Sequence, residues 1–124
     1  MKVPFKVDLN DKTAVITGGG GVIGLSFARS LAACGANVAI LDLNEEKAKE
    51  AADVIVAEGG KAIGVAANVL QKESLINAEK IISEKFGPCD ILINGAGGNH
   101  PKGTTSNEFL GYQVTLKISV FASY

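Results

Sequence analysis

The sequence holds one histidine and two cysteines, too few and too scattered for a zinc site. Cys34 and Cys89 each fall at the end of an expected element, and reduced thiols in a cytoplasmic chain are the reading their placement favours. No apolar run reaches the ~18 residues of a membrane span, and no signal peptide is visible at the start. Basic runs are missing too: with a formal net charge of −1 there is no electrostatic footprint for nucleic acid. What remains is an ordinary globular composition, 47% hydrophobic and 20% charged, in 124 residues. That length suits one domain burying about two-thirds of its unfolded surface.

The chain is organised around Thr17-Gly18-Gly19-Gly20-Gly21-Val22-Ile23-Gly24. Thr13-Ala14-Val15-Ile16 before it is β-branched enough to form a strand. After it, Ile23, Phe27, Leu31 and Cys34 recur at helical spacing. Glycines between a strand and a helix set unhindered backbone N–H groups at the positive end of a helix dipole, a site suited to phosphate. Gly19, Gly21 and Gly24 satisfy G-x-G-x-x-G, the dinucleotide fingerprint. In that pattern Gly19 allows the tight turn, Gly21 the approach of pyrophosphate and Gly24 close packing of helix on strand. A flexible loop is the plain alternative, and the flanking strand and helix count against it.

Residues 1–12 read as a leader in which Phe5, Val7 and Leu9 alternate with Lys6 and Asp8, an extended arm for the sheet. The first strand is expected over about 13–17 and the first helix over about 22–34, with Gly35 as its C′ residue. Asn37 to Asp42 is a near-continuous apolar run ending in an acid, as in a parallel strand buried on both faces. Asn44 predicts an N-cap, with Glu45 and Glu46 in the first turn of a helix running to about Glu58 and stopped by Gly59-Gly60. A third strand covers 61–67, and a third helix covers 71–86 with Leu75, Ala78, Ile82 and Phe86 inward, ended by Gly87-Pro88. Asp90 to Asn94 is the fourth strand and enters a second glycine loop, Gly95 to Pro101.

This alternation predicts an α/β fold, a doubly wound parallel sheet of Rossmann type in the order 3-2-1-4. Both glycine loops would then meet at the topological switch point, where nucleotides bind. The whole of 1–124 is expected to form this one domain, with 12–103 as its core. Residues 104–124 fit less well: Tyr112, Val114, Leu116, Ile118 and Val120 alternate as in a strand, yet Leu110, Val114, Ile118 and Phe121 also make a helix face.

Asp42 lies eighteen positions after Gly24, where an acid hydrogen-bonds the adenosine ribose hydroxyls and repels a 2′-phosphate. Lys47 is the closest cation, and no arginine lies nearby, which favours NAD over NADP. The alternative role for Asp42 is to cap the next helix or turn. Asn68 has the chemistry to meet the adenine amino edge, with Val69 beside the ring; a turn after the third strand is its other role.

The Thr17-Gly18…Gly24 turn, Asp42, Asn68-Val69 and Asn94-Gly95-Ala96-Gly97 resemble, in order and spacing, the short-chain dehydrogenase/reductase family. The likeness covers residues 8–103. It implies a Rossmann nucleotide-binding half of a hydride-transferring oxidoreductase. Val22 stands where the family usually has glycine, Gly95 where it usually has a second asparagine, and Asn68 where aspartate is commoner. The two glycine loops look like those of the fructuronate reductase (D-mannonate oxidoreductase) branch. The cofactor-binding set so implied is Gly18, Gly19, Gly21, Val22, Ile23, Gly24, Asp42, Leu43, Asn68, Val69, Asn94, Gly95, Ala96 and Gly97. In the family a serine and a Tyr-x-x-x-Lys pair do the acid–base work, the lysine lowering the tyrosine pKa. Here Tyr112 has Leu116 at +4 and Lys117 at +5, so no catalytic residue is assigned and the chain is expected to be inactive alone. Gly98, Asn99 and His100 are candidates to border the nicotinamide or substrate.

Two readings of other classes stand beside this one. A methyltransferase also uses a glycine turn and an acid after the second strand. A non-catalytic nucleotide-binding fragment would keep the fold without the chemistry, and the unusual tail favours it. A mononucleotide P-loop is excluded because the turn lacks Gly-Lys-Ser/Thr. A sheet that stops after about four strands leaves an open edge beside apolar helix faces, which predicts a homo-oligomer.

Overall fold

Seven elements alternate along the chain: β1 (Thr13–Thr17), α1 (Val22–Ala33), β2 (Asn37–Asp42), α2 (Glu45–Ala57), β3 (Lys61–Ala66), α3 (Lys72–Phe86) and β4 (Ile91–Asn94). They come from a computed structural model that describes residues 6–95. The predicted tail at 104–124 and the loop residues from Ala96 onward lie outside the described residues.

The four strands are parallel in the order β3-β2-β1-β4, the predicted order. Thr17 stands opposite Leu41 on one side and Asn94 on the other, so β1, β2 and β4 finish at one edge. Side chains of a strand alternate between faces, and two cores follow from that parity. Ala14, Ile16, Val38 and Ile40 pack under α1 and α2, with Ala28, Ala48, Ala51, Ala52 and Ile55 supplied by the helices. Val15, Ala39, Leu41 and Val65 pack under α3 against Leu75, Ala78 and Ile82. β1 is buried along its whole length, as a central parallel strand must be.

Helix ends follow their local chemistry. Asn44 caps α2 by accepting from the Lys47 amide at 3.2 Å. Gly35 and Gly59 both have positive φ, and each closes a Schellman motif: Gly35 N–H reaches Ala32 O and Ala36 N–H reaches Leu31 O after α1, with the equivalent pair after α2.

Five boundaries differ by one residue from expectation: α1 ends at Ala33, α2 at Ala57 and β3 at Ala66, Gln71 is the N-cap of α3 rather than its first residue, and β4 begins at Ile91. Phe86 is only half-buried. The leader adds no strand over the described residues; Leu9 instead packs beneath the α1–α2 core while its amide donates to Cys34 O at 2.8 Å.

Asp90 stays out of β4 because it clamps the start of β1. Its Oδ2 accepts from the Thr13 amide at 2.9 Å, and its own amide donates to Thr13 O at 2.9 Å. Thr13 is 1% exposed, so water cannot replace the lost acceptor cheaply. Replacing Asp90 by alanine is expected to cost about 1–3 kcal/mol of stability in urea unfolding, and Asp90→Asn, which keeps a carbonyl acceptor, clearly less.

Candidate functional site

Three loops meet at the carboxyl edge of the sheet, after β1, β2 and β3, with β4 ending beside them. The turn after β1 makes the closest backbone contacts. Gly18 has φ 68°, a left-handed conformation glycine adopts without a steric cost. Gly19 is buried, and its amide donates to Leu41 O at 3.2 Å, carrying the β1–β2 ladder one residue past the strand. Gly21 is the N-cap of α1. A Cβ on Gly24 would lie 2.7 Å from both Gly18 O and Gly19 Cα, so the first turn of α1 sits directly on the glycine turn.

Among the described residues, nothing covers the N-terminus of α1. Gly21 provides no side-chain cap and the first turn carries no acid, so the amides of Val22, Ile23 and Gly24 have no intrahelical acceptor. α2 is the opposite case, closed by Asn44 with Glu45 and Glu46 in its first turn. Only the first of these two ends is suited to an anion.

α1 also presents a different face from the one its large residues suggest. Gly24 and Ala28 are buried, with Leu25, Leu31 and Ala32 packed beside them, while Ile23 is 72% and Phe27 47% exposed. Val22 and Ile23 therefore stand open at the mouth of the turn.

Asp42 takes the turn role named as its alternative and adds a bond to the glycine turn. Its Oδ1 accepts from the Asn44 amide at 3.0 Å, which is the turn role, and its Oδ2 accepts from the Gly20 amide at 3.1 Å. The second bond ties the β2 end to the glycine turn. A carboxylate has about four acceptor sites, so capacity for ribose hydroxyls is left. Leu43, beside it, is 75% exposed.

Asn68 takes the turn role: Oδ1 accepts from the Leu70 amide at 3.0 Å, and its backbone amide donates to Ser74 Oγ at 2.9 Å. Its Nδ2 forms no hydrogen bond among the described residues and is available to a ligand. Val69 leans into the α3 core rather than standing free. Asn94 and Gly95 are exposed at the end of β4, and a Cβ on Gly95 would come 2.7 Å from Thr17 O. Ala96, Gly97, Gly98, Asn99 and His100 lie outside the described residues.

No group of three or more His, Cys, Asp or Glu able to hold a metal occurs among the described residues. No helix there is long and apolar enough to cross a membrane. Burial pushes the Cys89 thiol up, with the Asp90 charge adding to it against hydrogen bonds from the Ile91 and Val15 backbone. Cys89 precedes β4, at the edge of the sheet away from the glycine turn, so this protonated thiol is not a nucleophile of the site.

The arrangement is that of a dinucleotide fold, and comparison with known proteins agrees. The short chain dehydrogenase family profile matches residues 12–123. The chain belongs to the short-chain dehydrogenase family. An uncharacterised oxidoreductase of Haemophilus influenzae is 48% identical over 121 residues, covering 98% of this chain and 42% of that protein. The uncharacterised oxidoreductase UxuB of Bacillus subtilis is 49% identical over 106 residues, covering 86% and 38%. Among solved structures, a proposed D-mannonate oxidoreductase from Haemophilus with bound NAD superimposes with a TM-score of 0.80 at 40% identity, over 94% of this chain and 51% of that one. The chain thus spans about two-fifths of the length of these curated relatives. The branch resemblance seen in the glycine loops accords with that neighbour. Family membership sets the methyltransferase reading aside.

In this short-chain dehydrogenase chain, the contact between α1 and its own turn is the most restrictive feature of the site. Gly24→Ala is expected to lose about 1–3 kcal/mol in chemical denaturation, because backbone on both sides must move. Gly21→Ala, whose nearest neighbour would be Gly18 O at 3.7 Å, should lose under about 1 kcal/mol.

Proposed function

We propose that this chain is the dinucleotide-binding unit of an NAD-dependent oxidoreductase that interconverts a secondary alcohol and a ketone, on a sugar acid of the mannonate and fructuronate kind. The observation that carries the reading is the pairing, on one sheet edge, of a bare helix N-terminus with a carboxylate held against the same glycine turn. The amides of Val22, Ile23 and Gly24, reached over Gly18, Gly19 and Gly21, would take the pyrophosphate. Asp42 would accept from the adenosine ribose hydroxyls and oppose a 2′-phosphate, with Leu43 and Asn68 near the adenine. Asn94 and Gly95 lead toward the nicotinamide end, where Ala96 and Gly97 follow in sequence. When bound, the nicotinamide ring would supply hydride acceptance and donation; the residues here bind and orient it. The sugar-acid substrate is suggested by the D-mannonate oxidoreductase that this chain resembles in structure.

The absence of a Tyr-x-x-x-Lys pair supports the further reading that these 124 residues bind cofactor without turning over alcohol. Thermal unfolding of the purified chain with NAD⁺, NADP⁺ or S-adenosylmethionine tests both statements. NAD⁺ at about a hundredfold above its Kd should stabilise the fold by about 2.7 kcal/mol, seen as a rise in Tm, with a smaller rise for NADP⁺ and none for the methyl donor. Reduction of NAD⁺ with mannonate should stay at background. No shift with either dinucleotide would sink the binding reading, and mannonate-dependent reduction would sink the inactive one.

A further inference from the structure

Packing requires a glycine at position 95. A Cβ there would come 2.7 Å from Thr17 O, so the chain leaving β4 presses against the end of β1. The residue before it is Asn94, the last of β4, whose partner in the ladder is also Thr17. The contact that demands glycine therefore leaves the Asn94 carboxamide beside a neighbour with no side chain to shield it. Of the eight asparagines in the sequence, Asn94 alone is followed by glycine. Both residues are exposed. Asn44 and Asn68 spend their side-chain oxygens on the amides of Lys47 and Leu70, whereas the Asn94 side chain forms no hydrogen bond among the described residues. The Gly95 amide donates to Ile93 O at 3.1 Å, across a single residue, which constrains that bond to a bent and weak geometry. β4 has β1 on one side only among the described residues, and Asn94 is its last paired position. Rotation of its backbone breaks no ladder contact beyond Thr17, and strand ends open at little cost.

We infer that Asn94-Gly95 is a site of spontaneous deamidation assisted by its own backbone. The Gly95 amide nitrogen gives up its proton and attacks Asn94 Cγ. The N–Cγ bond forms, the Cγ–Nδ2 bond breaks, and the nitrogen leaves as ammonia carrying that proton. Water then opens the five-membered imide at either carbonyl. Cleavage at Cγ gives aspartate, and cleavage at the main-chain carbonyl gives isoaspartate, so the net change is hydrolysis of one amide with no redox partner. Either product sets a carboxylate at the edge of the sheet, one strand from the glycine turn. Isoaspartate also adds a methylene to the main chain entering the second glycine loop. Negative charge there opposes an anion drawn to the first turn of α1, and the modified chain holds a dinucleotide less tightly. That consequence, unlike the modification, rests on the dinucleotide reading given under Proposed function.

Incubation of the folded 124-residue chain at neutral and mildly alkaline pH, followed by peptide mapping with tandem mass spectrometry, reads the site directly. The acid-for-amide mass change is expected on Asn94, faster at the alkaline pH, while Asn44 and Asn68 stay intact. Asn94→Gln, whose longer side chain must close a six-membered ring, should abolish it. A parallel incubation in urea supplies the unfolded reference. An Asn94 that reacts when unfolded but stays intact in the folded chain overturns the proposal, as does a change confined to other asparagines. For the consequence, calorimetry compares NAD⁺ binding to the unaltered chain and to Asn94→Asp, expected to be about threefold weaker. Equal binding by the two chains overturns the consequence and leaves the modification standing. Failure of the unaltered chain to bind NAD⁺ overturns the dinucleotide reading, and the mass change on Asn94 is measured independently of it.

Discussion

The constraint on which everything else depends is the parity of β1 and β2. Both strands are covered on both faces, so each side chain along them belongs to one of two cores, and a slip of one residue would exchange the two sets. That penalty holds the register at Thr17 opposite Leu41 and Asn94. Because all the strands are parallel, the same register also decides which loops come together. The glycine turn, the Asp42 turn and the end of β4 are neighbours because the apolar residues upstream of them admit no other alignment. The site is a by-product of core packing at the other end of the strands.

Close approach of α1 to the sheet is the second constraint, and it selects small residues. Gly24 and Ala28 make the deep contact, and the large apolar residues at Ile23 and Phe27 are turned outward. Of the large side chains at helical spacing, Leu31 packs on the core while Ile23 and Phe27 do not. A hydrophobic stripe marks the buried side of a helix when the gap to be filled is wide; where a Cβ on Gly24 would come within 2.7 Å of the neighbouring backbone there is no gap to fill. The glycines that suggested a phosphate site also set which face of the neighbouring helix packs inward.

Much of the rest was legible, for reasons that differ by element. The Asn44 cap and the Gly35 and Gly59 terminations depend on a few adjacent residues, and strand order on the βαβ alternation of the whole chain; each appears where expected. Contacts that join distant parts of the chain had no local signal. Asp42 to Gly20 spans 22 positions and Asp90 to Thr13 spans 77, and neither pair could be matched from spacing alone. Asn68 shows the ambiguity within a single residue: its oxygen is spent on a turn, while its nitrogen forms no hydrogen bond among the described residues. Ala96, Gly97 and the tail from Thr104 fall outside the described residues.

The N-termini of α1 and α2, two of the three helices that begin at this edge, differ in how their first turns are met. Both helices carry the same backbone dipole, so the dipole cannot be what distinguishes them. The difference lies in what meets the first-turn amides. At α2 the Asn44 side chain accepts from one first-turn amide and two acids place negative charge at that end, which opposes an external anion. At α1 a cap residue with no side chain leaves the amides open, and the nearest carboxylate, Asp42, is drawn sideways onto Gly20 rather than onto the helix end. Had Gly20 carried a side chain, Asp42 would have been displaced from that position. Gly20 thus lets an acid stand beside the uncapped first turn of α1 without reaching over it.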